Sequence, residues 1–118
     1  GARFSRRWPV RLASHVWVAA YLARLQAQGI PAFVVARGDA VAGAVLVKLS
    51  TLDGQAVAYE RVTDIATGSR RWMELTRGAD RDVEATVSAQ RGFDPDLWVI
   101  EVEDRQGRHL LDEPGLAE

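Results

Sequence analysis

The chain has 118 residues, of which 47% are hydrophobic and 26% charged, with no cysteine and a formal net charge of −1. This length is typical of one folded domain, and the composition excludes both an intrinsically disordered chain and a fibrous repeat. The lack of cysteine excludes disulfides, thiolate metal sites and a thiol nucleophile, and no apolar stretch approaches the roughly 18 residues of a membrane-spanning helix.

Charge is distributed unevenly along the chain. Residues 1–50 hold seven basic side chains and one acidic one, whereas residues 51–118 hold eight basic and fifteen acidic ones. Such an asymmetry either steers a charged partner or is neutralised within the fold, since chain ends commonly lie close together. We expect residues 1–12 to form a basic arm, residues 13–112 a single domain and residues 113–118 a mobile acidic tail.

The first elements of the domain are a helix and a strand. Ser14 is a suitable N-cap for a helix that runs to about Gln28, and Gly29 can adopt the left-handed conformation of a C-terminal cap. Pro31 favours extended backbone, so we predict a short strand over residues 32–36.

Three consecutive antiparallel strands are predicted next, over residues 45–50, 56–63 and 70–76. Asp53-Gly54 is a strong signal for the first hairpin turn, and residues 66–69 supply the second.

The first turn determines which side chains share a face of the sheet. If Asp53-Gly54 form the centre of a two-residue turn, Val47 lies opposite Glu60, and one face is aliphatic apart from that carboxylate. The opposite face then presents an arginine–aromatic cluster to solvent: Tyr59, Arg61 and Trp72. A shift of one residue would exchange the two faces.

A second helix and a further strand complete the predicted domain. Asp80 is a good cap for a helix over residues 80–91, residues 97–102 form a strand, and residues 108–111 form a short final strand. The order of helix, strand, three-stranded meander, helix and strand predicts an α+β domain with a mainly antiparallel sheet.

Residues typical of catalysis or metal binding are sparse. His15 and His109 lack the spacing of a metal site, and the glycines form no phosphate-binding loop, so we predict neither a cofactor nor a metal.

An alternative function is that of a metal-assisted hydrolase, which requires converging carboxylates. Its candidates are four acidic residues: Glu60, Asp64, Glu101 and Glu103. Structural roles would also explain these residues. Glu60 could form a buried ion pair with Arg70 or Arg71. Glu101 and Glu103 could be charges that protect the edge of a strand from aggregation.

Arginine and tryptophan dominate the best candidate binding surface. These residue types are enriched in protein-interface hot spots, and they also stack on nucleobases and contact phosphates. The candidate residues are Tyr59, Arg61, Arg70, Arg71 and Trp72, with Trp98 assigned either to the core or to the interface. We therefore predict a non-enzymatic module that binds a protein partner or a second copy of itself.

Nucleic-acid binding is a weaker alternative. It would use the basic arm, which contains Arg3, Arg6, Arg7 and Arg11 with Trp8. The acidic C-terminal third disfavours polyanion binding elsewhere on the chain, so we regard a nucleic-acid partner as unlikely. No secretory signal is recognisable, so we expect a cytoplasmic location and no membrane association.

Short motifs in a fixed order over residues 10–112 resemble domain-of-unknown-function family 1491, a family of short, mainly alphaproteobacterial proteins. The motifs are Arg11-Leu12, Ser14-His15-Val16-Trp17, Gly38-Asp39, Gly43-Ala44-Val45-Leu46, Tyr59-Glu60-Arg61-Val62, Arg70-Arg71-Trp72 and Asp94-Pro95-Asp96-Leu97-Trp98-Val99. The resemblance implies a small cytoplasmic bacterial domain of unassigned activity, and it supplies no catalytic residue.

Overall fold

The computed structural model describes residues 11–117, which form two helices and one five-stranded sheet. The helices are α1 (Ser14–Ala27) and α2 (Asp80–Phe93). The strands are β1 (Ala32–Ala36), β2 (Val45–Ser50), β3 (Gln55–Thr63), β4 (Arg70–Ala79) and β5 (Trp98–Glu103). The predicted α+β class is confirmed. Residues 1–10 of the predicted basic arm lie outside the described residues.

The strand order across the sheet is β1-β5-β2-β3-β4. All neighbouring strands are antiparallel except β2 and β5, which are parallel. The helix α2 makes the connection from β4 at one edge back to β5 near the other. The central position of β5 explains its nearly continuous apolar sequence, because a central strand buries side chains on both faces.

Each face of the sheet is covered by one helix. The α1 face carries Val45 and Val47 of β2, and α1 packs against it with Trp17, Tyr21 and Leu25. Successive members of this set are four residues apart, so they fall on one side of the helix.

The opposite face, the α2 face, carries Leu46 and Lys48 of β2. Leu46 packs there with Val83 and Val87, which form the buried stripe of α2. The two apolar clusters therefore lie on opposite sides of a single sheet.

The turn between β2 and β3 is longer than predicted. The Thr51 N–H donates to the Gln55 carbonyl oxygen at 3.1 Å, which leaves three residues in the turn instead of two. Leu52 and Gly54 both have positive φ angles, of 61° and 86°. A three-residue turn with glycine in the left-handed region is a standard hairpin connection. Its odd length shifts the pairing of the two strands by one residue.

The shift exchanges the faces of β3. Val47 lies opposite Tyr59 instead of Glu60, and Arg61 faces Trp72 on β4 as predicted. Since side chains alternate along a strand, the arginine–aromatic cluster shares the α1 face with the aliphatic residues. The prediction that this cluster lies on the opposite, solvent-facing side of the sheet is wrong.

Residues 104–117, the C-terminal strap, pack across the α1 face without forming the predicted strand. Leu116 is buried, and its carbonyl oxygen accepts a hydrogen bond of 2.9 Å from Trp72 Nε1. Glu113 forms an ion pair of 2.9 Å with Arg24 of α1. Leu110 has a φ angle of 62°, which is incompatible with a regular strand. Residues 113–117 are thus docked on the domain, contrary to the predicted mobile tail.

The helix ends also differ from prediction. Ser14 and Asp80 lie inside the first turns of their helices, and neither side chain caps a helix. The Ser14 hydroxyl instead donates to the Gly43 carbonyl oxygen, and Asp80 accepts a hydrogen bond from Lys48. The predicted left-handed residue after α1 is confirmed at Gly29, with a φ angle of 71°.

Candidate functional site

A cavity of about 520 Å³ opens where the start of α1, the β1–β2 loop and the ends of β3 and β4 meet. Three arginine side chains line it, from the chain before α1, from β3 and from β4: Arg11, Arg61 and Arg70. Thr63 and Ser14 contribute hydroxyl groups, and the rest of the lining is apolar or glycine. No aspartate or glutamate lines the cavity within residues 11–117. We call this site the arginine cavity.

Arg61 is fixed by aromatic rings. Its guanidinium carbon lies 5.1 Å from the ring centroid of Trp17 and 5.3 Å from that of Trp72. The two rings lie 5.3 Å from each other, and Trp17 stacks on Tyr21 at 4.9 Å. Cation–π attraction at such distances favours a charged guanidinium in this position. The side chain is thus held in place by residues of α1 and β4.

The charge of Arg61 has no counter-ion among the described residues. Its Nη1 atom is buried without a hydrogen-bond partner. Burial, followed by the positive charges of Arg70 and Arg11, lowers the pKa of Arg61 to about 10. Burial and Arg11 also lower the pKa of Arg70. These groups remain charged at neutral pH, so the cavity concentrates positive charge at a cost in stability.

The start of α1 adds to this positive potential. Its first turn contains no acidic residue, and the positive end of the helix dipole lies beside the cavity. The backbone N–H groups of Ser14 and His15 already donate to the carbonyl oxygens of Val41 and Ala40. The start of α1 thus contributes positive electrostatic potential, and the arginine side chains contribute hydrogen-bond donors.

The β1–β2 loop that forms one wall is closely packed. A Cβ atom on Gly43 would lie 2.3 Å from the Asp96 carbonyl oxygen, so only glycine fits there. The Asp39 carboxylate accepts hydrogen bonds from the N–H groups of Val41 and Ala42, at 3.2 and 2.8 Å. Trp98 Nε1 donates to the Asp39 carbonyl oxygen at 2.7 Å. These contacts fix the wall of the cavity.

The predicted binding residues do not form one surface. Arg61 and Arg70 line the arginine cavity, and Trp72 supports Arg61. Arg71 is exposed on the α2 face, because it follows Arg70 on the same strand. Trp98 is only 2% exposed, so it lies in the core.

Tyr59 lies outside the cavity, under the C-terminal strap. Its ring packs against His109, with 4.7 Å between the ring centroids. Sequence analysis missed the contribution of Arg11, which it assigned to the basic arm. The Arg11 side chain donates to the Gly68 carbonyl oxygen in the β3–β4 turn, a contact between residues 57 positions apart that no sequence pattern indicates.

The four candidate carboxylates do not converge. Glu60 is half-buried on the α2 face, opposite Leu46, and the expected ion pair with Arg70 or Arg71 is absent among the described residues. Asp64 accepts a hydrogen bond from the Ala66 N–H in the β3–β4 turn.

The other two candidates, Glu101 and Glu103, lie on β5, which β2 separates from β3. Within residues 11–117, no group of three or more potential ligands is arranged to hold a metal ion. These four carboxylates therefore do not form the converging set that the alternative prediction requires.

A charge cluster on the α2 face was not predicted. The side chain of Lys48 is 4% exposed, and its Nζ atom lies 2.9 Å from Asp80, 3.0 Å from Glu84 and 3.9 Å from Glu101. Burial alone would lower the pKa of Lys48, but the hydrogen bonds to Asp80 and Glu84 outweigh it and raise the pKa. Two features of the sequence could have indicated this cluster. Asp80 and Glu84 are four residues apart and so share a helix face, and Lys48 interrupts an apolar strand.

Neither helix within residues 11–117 is long and apolar enough to cross a membrane.

Residues 12–112 match the family described as "Protein of unknown function (DUF1491)". The crystal structure of a DUF1491 family protein from Caulobacter crescentus CB15 is similar, with 42% identity, a TM-score of 0.79, and coverage of 88% of this chain and 98% of that one. An NMR structure of a DUF1491 family protein from the same organism has 41% identity, a TM-score of 0.78, and coverage of 90% and 97%.

A solution structure of a protein from A. tumefaciens is also similar, with 30% identity, a TM-score of 0.69, and coverage of 80% of this chain and 86% of that one. No curated protein matches the chain. The family match and the shared fold confirm the resemblance drawn from the sequence motifs. The chain belongs to the DUF1491 family.

Proposed function

We propose that this DUF1491 protein is a non-enzymatic binding module that takes an anionic group of a partner protein into the arginine cavity. The observation that carries the proposal is the buried, unpaired Nη1 atom of Arg61 beside two further arginines. A structural arginine in such a position normally has a carboxylate partner, because an unpaired buried charge destabilises the fold. A bound anion supplies that partner.

The ten residues that precede Arg11 in the sequence carry no anionic side chain. Residues 1–10 contain three arginines and no acidic residue, so they add only positive charge to the chain that leads into Arg11. The acids of the strap that are ion-paired, Glu113 and Asp104, bind Arg24 and Arg108. No ion pair among the described residues includes a cavity arginine, so we expect a ligand from another molecule to supply the anion.

A protein partner agrees best with the composition of the site. Arginine and tryptophan dominate interface hot spots, and fixed side chains lose little conformational entropy on binding. Arg61 is held by two tryptophan rings, so most of its ordering has already occurred in the free protein. Self-association and a cytoplasmic location, both expected from the sequence, stay predictions.

Peptide display on the purified protein tests the proposal. Arg70→Gln removes one cavity charge, and Arg71→Gln makes the same change at the next residue, on the opposite face of the sheet. We expect selected peptides to be rich in aspartate and glutamate, to lose binding to Arg70→Gln, and to keep binding to Arg71→Gln.

Peptides without acidic enrichment, or with equal affinity for both variants, would contradict the proposed function. Light scattering of the wild type and the Arg70→Gln variant shows in the same samples whether a second copy of the chain is the partner. A dimer that the Arg70→Gln change dissociates would identify the anion donor as an acidic segment of the same chain.

A further inference from the structure

On the basis of the proposed function, we infer that the anionic group is a phosphate monoester on a side chain of the partner protein, in preference to a carboxylate. The inference deepens the role of the arginine cavity and concerns the chemistry of its ligand. It rests on charge balance, on the number of free donors and on the rigidity of the site.

Charge balance favours a dianion. The cavity brings three guanidinium groups together with no carboxylate in the described lining, and the positive end of α1 adjoins them. An aspartate or glutamate side chain carries one negative charge, whereas a phosphate monoester carries about −1.5 to −2 at neutral pH. The monoester thus neutralises more of the charge in a single bound group.

The donors also match a phosphate better than a carboxylate. Each guanidinium presents a planar fork of N–H donors, and a phosphate monoester has three terminal oxygen acceptors where a carboxylate has two. Arg61 Nη1 has no hydrogen-bond partner among the described residues, and Arg11 uses only one of its terminal nitrogens on Gly68. The hydroxyl of Thr63 in the lining is a further donor.

The site has the size and rigidity that this ligand requires. Its volume of about 520 Å³ accommodates a phosphate together with part of the residue that carries it. The Trp17 and Trp72 rings hold Arg61, and the Gly43 wall is packed against Asp96. Preorganised donors lose less entropy on binding, which strengthens recognition of a small, highly charged group.

Titration of the ¹⁵N-labelled protein with three peptides of one sequence tests the inference. The peptides differ only at a central residue, which is phosphoserine, glutamate or serine. The indole N–H signals of Trp17 and Trp72, whose rings flank Arg61, report on the cavity. We expect the phosphoserine peptide to bind at least about tenfold more tightly than the glutamate peptide, since extra charge-assisted hydrogen bonds are formed.

Two variants show whether binding occurs at this site. We expect the Arg70→Gln change to weaken binding of the phosphoserine peptide at least about tenfold, and the Arg71→Gln change to alter it less than about twofold. Because the Arg70 side chain is only partly buried, this variant is expected to fold, and unchanged Trp98 signals would confirm it.

The remaining outcomes would contradict the phosphate inference, the proposed function or both. Equal binding of the phosphoserine and glutamate peptides would overturn the phosphate inference and leave the proposed function standing. Absence of binding by both acidic peptides would contradict both. Adenosine monophosphate and a mixed oligonucleotide are tested in the same way. If either binds more tightly than the phosphoserine peptide and loses binding to Arg70→Gln, a phosphorylated protein is not the source of the phosphate.

Discussion

The buried Lys48 and the half-buried Arg61 have opposite surroundings. Lys48 on the α2 face is surrounded by three carboxylates within 4.0 Å. Arg61 on the α1 face has tryptophan rings on its flanks and other arginines as its charged neighbours. The first arrangement satisfies a charge inside the fold, and the second leaves hydrogen-bonding capacity unused. This contrast is the reason for assigning a structural role to Lys48 and a binding role to Arg61.

The structural role of Lys48 leads to the first prediction. We expect the Lys48→Met change to lower the free energy of unfolding by about 2 kcal/mol, since it leaves three carboxylates facing one another without their cation. This is below the cost of breaking a fully buried pair, because those carboxylates are partly exposed. Urea denaturation measures the change.

The matched control is Arg77→Gln, which breaks an exposed ion pair with Glu74 and is expected to change the free energy of unfolding much less, because solvent screens that pair. Equal effects of the two changes would contradict a stabilising role for the buried cluster.

His109 makes the stability depend on pH. Burial lowers the pKa of His109, with a smaller opposing effect of the Asp112 charge, and the Nδ1 atom accepts a hydrogen bond from the Leu111 N–H. Since the folded-state pKa lies below the ordinary value near 6.5, the unfolded chain takes up the proton first. The contribution to stability is complete above that ordinary value and is lost as the pH falls through the folded-state pKa.

We therefore expect the wild type to lose more stability between pH 7.5 and pH 5.5 than the His109→Asn variant, whose side-chain oxygen can accept the same hydrogen bond without titrating. Chemical denaturation at the two pH values measures both proteins. His15→Asn is the control, because this histidine is exposed. A loss of stability that is the same in the wild type and both variants would show that His109 has no part in it.

At the scale of elements, the β1–β2 loop depends on a glycine. We expect the Gly43→Ala change to destabilise the protein by about 2 kcal/mol or more, because the added Cβ atom would contact the Asp96 carbonyl oxygen. Gly92→Ala in α2 is the matched control: its Cβ atom meets nothing within 4 Å, and alanine favours a helix by roughly 0.5–1 kcal/mol. Thermal denaturation compares them, and a Gly43→Ala protein as stable as the wild type would contradict the packing of this loop.

The C-terminal strap is tested by a comparison of two leucines. Leu116 is buried beside Trp72, so the Leu116→Ala change is expected to destabilise the fold by about 2–4 kcal/mol. Leu12→Ala removes the same atoms at a position that is 51% exposed, and it is expected to cost less than about 0.5 kcal/mol. If urea denaturation gave similar small values for both, residues 113–117 would be the mobile tail that the sequence suggested.

The sequence was sufficient to identify both helices and all five strands, although it also predicted a strand over residues 108–111 that does not form, and it was not sufficient to determine the pairing. Residues 32–36 and 45–50 agree with β1 and β2 to the residue, because Pro31 and the apolar pattern define them locally. The face of Tyr59 depended on whether the turn after Thr51 contains two or three residues, and Asp-Gly occurs in both kinds. A single extra residue there moved the arginine–aromatic cluster beneath α1.

The candidate site was recognised only in part for the same reason. Arg61, Arg70 and Trp72 were identified by residue type, but the cavity also needs Trp17 of α1 and Arg11 before it. These partners come from segments more than 40 residues away along the chain. Tertiary packing brings them together, and no local pattern in a single sequence encodes that packing.

At the scale of the whole molecule, the uneven charge of the chain is only partly neutralised by folding. Lys48 and Arg24, from the basic half, pair with acids of the second half. Within residues 11–117, the arginines of the cavity form no such pair, and Arg11 instead lies near Arg61 and Arg70. Like charges held together without a counter-ion reduce the stability of the free protein, which is a common property of binding sites.

The most direct test of an anion-binding cavity is to measure the free energy of unfolding in chloride and in phosphate at equal ionic strength. The proteins compared are the wild type, Arg70→Gln and Arg71→Gln. In chloride we expect the Arg70→Gln variant to be at least as stable as the wild type, because a repulsive charge is removed. In phosphate we expect the wild type and Arg71→Gln to be stabilised more than Arg70→Gln, since an anion bound to the folded state favours folding. A destabilised Arg70→Gln protein in chloride, with the same response to phosphate in all three proteins, would contradict an anion-binding cavity.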